Sequence, residues 1–68
     1  MVESTLAAMQ RKQIEITIGE LLLTDDYYMC LEITERLRHL LAHVDPSLDK
    51  SQLSEGALAE LEELNLLH

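Results

Sequence analysis

Three groups of side chains in this chain are of types that do chemistry. His39 and His43 stand four apart, and Glu35 extends the row by another four. On a helix such residues share one side, and two histidines with a carboxylate are ligands that zinc accepts. Cys30 is the only cysteine, and a thiol becomes a nucleophile where something basic lowers its pKa. Tyr27 and Tyr28 combine apolar rings with hydroxyls, the combination enriched at protein interfaces.

The first two groups do not read as a metal or catalytic centre. The histidine row lies opposite an apolar stripe, near the expected end of its helix, where protonated histidine complements the dipole. Cys30 falls inside the stripe with nothing basic beside it, and reads as a small buried hydrophobe. There is no glycine-rich phosphate loop, and the carboxylates are spread over faces that solvation requires to be polar. A short helical chain also has little room for a ligand pocket of ~300 Å³ or more. The expectation is a protein that is not an enzyme and that uses no cofactor or metal. Tyr27 aligns with the apolar stripe and is expected in the core. Tyr28 points elsewhere and is the candidate contact residue.

The elements that must position these residues are helices. Leucine dominates the apolar set, Phe and Trp are absent, and there are two glycines and one proline. That composition favours helices over a turn-rich β fold. The spacing predicts helices over about 4–23, 26–44 and 55–67, with a linker over 45–54 that is polar apart from Leu48 and Leu53 and has room for one helical turn. Ser4 or Thr5 caps the first helix, Thr24-Asp25-Asp26 breaks it and caps the second, and Ser54 caps the third. Asp45-Pro46 ends the second helix, because the residue before proline avoids helical geometry, and the pair can also start a new one, with Asp45 as cap and Pro46 at the first position. In the second helix Cys30, Ile33, Leu37, Leu40 and Val44 keep 3–4 spacing, widened by Tyr27, Met29 and Leu41. In the third, Ala57, Leu58, Leu61, Leu64 and Leu67 form the apolar side.

The first helix is unusual. Residues Ile14 to Leu23 carry more apolar surface than one helix face can hide. Ile14, Ile18, Leu21 and Leu22, with Ala7 in line, form one stripe, which is expected to face the second helix. Met9, Ile16 and Leu23, spaced by seven, form a second stripe on nearly the opposite side, which is expected to face something outside the protomer. Two opposed stripes imply two packing partners. Residues Ile14–Ile18 also alternate apolar and polar, the period of a strand. Helix is the preferred reading, because a lone strand has no mate in this chain.

Length makes the same point about partners. The chain has 68 residues, and a core of that size rarely supplies more than about 3–5 kcal/mol without a staple. One cysteine cannot make an intrachain disulfide, and no Cys/His cluster has structural zinc spacing. Oligomerisation or a folded partner remains. The fold expectation is therefore all-α, a helical hairpin plus a third C-terminal helix, completed by self-association or by another protein.

The net charge is −8, and it is uneven. Residues 45–68 carry six acids against Lys50 alone. Such a balance repels nucleic acid and anionic membranes. Glu62 and Glu63 sit near the end of the third helix, where negative charge opposes the dipole, and with Glu60, Met9, Ile16, Leu23 and Tyr28 are read as partner-binding residues. No basic, apolar leader opens the chain, no apolar run is long enough to span a bilayer, and the lone cysteine suits a reducing cytoplasm. The expected function is a non-enzymatic interaction module: a regulator, antagonist, co-chaperone or accessory subunit. Two alternatives follow from single features. If Ile14–Ile18 were a strand, a ribbon-helix-helix dimer would read DNA through Gln13, Glu15 and Thr17. If the acidic third helix imitates phosphates, the chain is a nucleic-acid mimic that binds a basic protein.

Overall fold

The alternation at Ile14–Ile18 folds as helix. In the computed structural model, which describes residues 3–66, helix α1 runs Thr5–Leu23, α2 runs Tyr27–Ala42 and α3 runs Glu55–Glu63. A single 3₁₀ turn, Lys50–Gln52, lies in the connection between α2 and α3. Among the described residues there is no strand, so the ribbon on which a ribbon-helix-helix dimer depends does not form. A helix accommodates the alternation because Ile14 and Ile18, four apart, share the inner face, while Ile16 is turned about 200° outward. Ile14 and Ile18 are buried and Ile16 is exposed.

Each helix starts on the cap its sequence provides. Ser4 accepts from the Ala7 N–H, Asp26 from the N–H groups of Tyr28 and Met29, and Ser54 from Ala57. The expected end of α2 at Val44 is two residues late, for α2 stops at Ala42 with His43 as its cap. Asp45 does not start a further helix. It holds a tight turn in which the Leu48 N–H donates to the Asp45 carbonyl at 2.9 Å. α3 also stops early. Asn65 adopts φ 58°, the left-handed conformation that asparagine tolerates. The Asn65 and Leu66 N–H groups then donate to the Glu62 and Leu61 carbonyls at 3.1 and 2.9 Å, closing α3 with a Schellman-type end. Leu67, expected on the apolar side of this helix, lies outside the described residues.

The core is one cluster of Ile14, Ile18, Leu37, Leu53, Ala57 and Leu61. Ala7, Leu21 and Ile33 are buried on the inner faces of α1 and α2. Thr17 is buried as well. Its hydroxyl donates to the Gln13 carbonyl one turn back at 2.7 Å, so its burial leaves no unsatisfied group.

Both leucines of segment 45–54 are drawn inward. Leu53 is a full member of the core and Leu48 packs against it. Polar side chains of the first helix and its approach hold the rest in place. Gln10 donates from Nε2 to the His43 carbonyl at 3.2 Å and accepts from the Asp45 N–H at 2.8 Å. Glu3 pairs with Arg11 at 3.1 Å and accepts from the Asp49 N–H. Glu15 accepts from the Ser54 N–H and hydroxyl at 3.1 and 3.0 Å. One stapled segment thus joins the end of α2 to the start of α3 along the flank of α1.

Two aspartates in this segment are held in their charged form by local hydrogen bonds. Asp45 accepts from the Ser47 N–H and hydroxyl at 2.9 and 2.7 Å, and these bonds hold its carboxyl below the usual carboxylate range. Asp49 is lowered likewise, by the Ser51 hydroxyl first and then the Ser51 N–H. The Ser47 hydroxyl also lies 3.1 Å from the Ser4 hydroxyl and accepts from the Ser4 N–H, tying the turn to the start of α1. A carboxylate whose folded pKa is depressed adds stability above its unfolded value, about 3.9 for Asp, and loses it as pH falls through the folded value. The double variant Ser47→Ala/Ser51→Ala is therefore expected to melt lower than wild type at neutral pH. Thermal melts at falling pH should show that gap narrowing below about pH 4, where the aspartates of both proteins protonate. A gap that widens in acid would contradict the assignment.

Candidate functional site

The apolar surface left over by this fold lies on one hairpin. Every large hydrophobic residue that is exposed among the described residues belongs to α1, to α2 or to the first turn between them: Leu6, Met9, Ile16, Leu22 and Leu23 on α1, and Tyr27, Tyr28, Met29 and Leu31 on α2. The reason is the length of α3. Nine residues of helix cover about 13 Å, whereas the nineteen of α1 extend about 28 Å. α3 packs Ala57 and Leu61 into the cluster with Ile14 and Ile18. Nothing among the described residues covers the hairpin tip beyond the buried pair Leu21 and Ile33.

Met9, Ile16 and Leu23 line up along the outer face of α1, and all three are exposed, Leu23 at 86%. Tyr28 is exposed at 79% and stands at the tip. Its ring meets that of Tyr27 edge-on, with centroids 5.7 Å apart. Glu60 is half-buried and Glu62 and Glu63 are exposed on α3. α3 itself packs Ala57 and Leu61 against Ile14 and Ile18 on the inner face of α1.

Three residues depart from expectation. Tyr27 is not in the core but 69% exposed, and Leu22 does not face α2 but is 60% exposed. Both lie at the tip, where the inner faces of α1 and α2 have no third layer to close over them. Met29, read as widening the stripe of α2, is exposed for the same reason. The tip is nonetheless well built. The Thr24 hydroxyl donates to the Glu20 carbonyl at 2.7 Å, Asp26 caps α2, and the half-buried Cys30 thiol donates to the Thr24 carbonyl at 3.5 Å.

The residues whose types do chemistry are not brought together. The His39 and His43 rings lie 6.3 Å apart on the exposed side of α2. Glu35 is engaged by Arg38 one turn on. Among the described residues, no group of three or more His, Cys, Asp or Glu side chains is placed to hold a metal ion, and no helix is long and apolar enough to cross a membrane. Two shallow depressions mark the surface. One is lined by Glu35, Arg38, His39 and Ala42. The other lies on the outer face of α1, between Thr5, Ala8, Met9, Arg11 and Lys12.

No family model, no curated protein and no solved structure matches this chain. The functional reading therefore rests on the surface alone.

Sequence reasoning missed the polar anchors Gln10 and Glu15. Their partners lie 33 to 39 residues away, and no local period announces such pairs. In the ribbon alternative Glu15 faces DNA. It instead fixes the start of α3.

Proposed function

We propose that this chain is a small acidic, non-enzymatic interaction module, acting as a regulator, antagonist, co-chaperone or accessory subunit in the cytoplasm. It binds another protein, a second copy of itself, or both, through the apolar faces of the α1–α2 hairpin. The observation that carries this reading is the concentration of exposed Leu, Ile, Met and Tyr side chains on that hairpin, with none on the described part of α3. Scattered single hydrophobics are normal on a protein surface, but their concentration on one hairpin favours an interaction surface. Tyrosine and methionine add adaptable contact area at such sites. The acidic rim, Asp25, Asp26 and Glu32 among it, disfavours nucleic acid and anionic lipid as the binding target.

A photo-crosslinking amino acid placed at Tyr28, and separately at Met9, tests this reading in the cell. Discrete adducts with protein, to this chain or to another, are expected at both positions. The same probe at Glu55, on the face of α3 turned to solvent, should give none. A blank at both hairpin positions overturns the reading.

A further inference from the structure

Resting on that reading, we infer that the occupant of the outer face of α1 is a second copy of this chain, packed antiparallel about a two-fold axis at Ile16. Four features of α1 point to it. The first is the stripe itself: Met9 and Leu23 lie symmetrically seven residues either side of Ile16. An antiparallel copy sets Met9 against Leu23 of its mate and Ile16 against Ile16, so every apolar residue of the stripe meets another. Such an isologous contact is the commonest way in which identical chains pair.

The second feature is charge. Lys12 and Glu20 flank the stripe four residues either side of Ile16. The same antiparallel placement sets each Lys12 across from the Glu20 of its mate, giving two symmetric ion pairs. A parallel placement would set Lys12 against Lys12 and Glu20 against Glu20, and would bring the acidic tips together at Asp25 and Asp26. Glu20 already approaches Arg36 of its own protomer at 3.6 Å with both side chains half exposed, so it can accept a second cation without leaving the first.

The third feature is a hole that fits a knob. The depression on α1 is lined by Arg11 and by Thr5, Ala8, Met9 and Lys12, the last four standing at i, i+3, i+4 and i+7. That is the four-residue hole into which a facing helix inserts a side chain. The side chain set opposite it is Leu23, the most exposed of the large hydrophobics.

The fourth is Gly19. Glycine inside a helix is unfavourable relative to alanine, and nothing in the protomer calls for it. Its φ is not positive and a Cβ built there meets no atom within 4 Å. It flanks the stripe between Ile16 and Leu23, where the missing side chain lets a second backbone come close.

Light scattering and sedimentation equilibrium on the purified chain test the inference. At about 100 µM, where even a dimer with micromolar Kd is populated, the expected mass is twice the 7.8 kDa of the protomer. Ile16→Glu should be monomeric with its helical circular dichroism intact. Lys12→Glu and Glu20→Lys should each raise Kd about tenfold, since each converts two symmetric attractions into repulsions. The double variant Lys12→Glu/Glu20→Lys restores the opposite-charge pairing and should return Kd to near wild type. A monomer under these conditions overturns the inference. So does a dimer indifferent to Ile16→Glu, or charge reversals that the double variant fails to rescue. A monomer that still crosslinks to a foreign protein at Met9 and Tyr28 refutes the self-association alone and leaves the interaction reading standing.

Discussion

Leu37→Ala is expected to leave the chain without a cooperative unfolding transition. Leu37 is fully buried on α2 and belongs to the cluster of Ile14, Ile18, Leu53, Ala57 and Leu61, a core to which all three helices and the connecting segment contribute. Truncating a buried leucine to alanine costs about 2–5 kcal/mol, the lost transfer energy plus the cavity left behind. A core of this size supplies only about 3–5 kcal/mol in total. The deletion therefore removes most or all of the stability, and the α3 helix, too short to persist alone, melts with it. Urea titration followed by far-ultraviolet circular dichroism measures this directly. Wild type should show a sigmoidal transition and Leu37→Ala a shallow drift from low ellipticity. Leu37→Met keeps the volume and costs less than about 1.5 kcal/mol, so it should retain the sigmoid. A Leu37→Ala midpoint close to wild type would show that the cluster is not the source of the fold's stability. Because association stabilises a folded chain by mass action, the comparison belongs at one low protein concentration.

The parts of this fold that were legible in the sequence are those with a local period. The inner stripe of α1 and the stripe of α2 follow 3–4 spacing, and their central members Ile14, Ile18, Ile33 and Leu37 are buried. Caps at Ser4, Asp26 and Ser54 announce themselves by residue type. The outer stripe was legible as well, because seven-residue spacing returns a side chain to nearly the same azimuth. What failed has a physical reason in each case. Leu22 and Tyr27 have plausible azimuths, but burial needs a covering layer, and helix periodicity says nothing about where α3 ends. Leu48 and Leu53 sit among serines and aspartates, so a windowed reading dilutes them into a linker. The Gln10 and Glu15 anchors are decided by chain crossings tens of residues apart. The same limit applies to the candidate site: the residues on the outer face could be read, while the exposed tip at Leu22, Tyr27, Met29 and Leu31 became visible only once α3 was seen to stop short.

The contrast between Leu53 and Leu22 gives a second large effect. On sequence alone Leu22 belongs to a buried helix stripe and Leu53 to a polar connection. In the fold their roles are exchanged: Leu53 is 4% exposed within the core cluster and Leu22 is 60% exposed. Leu53 also sits just before the Ser54 cap that Glu15 anchors, so its side chain and that polar tie hold the start of α3 to α1 together. Leu53→Ala is expected to cost about 2–4 kcal/mol, within the range for a buried leucine. Leu22→Ala should stay within about 0.5 kcal/mol of wild type, as surface substitutions do. The transition midpoints of the two variants measured side by side decide it, and equal losses, or the reverse order, would mean that segment 45–54 is a tether rather than part of the core. The loss at Leu53 carries a further consequence for α3. With its first turn released, that helix is held by Ala57 and Leu61 and the partly buried Leu58 and Leu64, and nine residues do not sustain a helix in water by themselves. Amide hydrogen exchange in Leu53→Ala should therefore show protection falling first in Glu55–Glu63, ahead of the α1–α2 hairpin, because the segment read as a linker is what fastens the third helix to the other two.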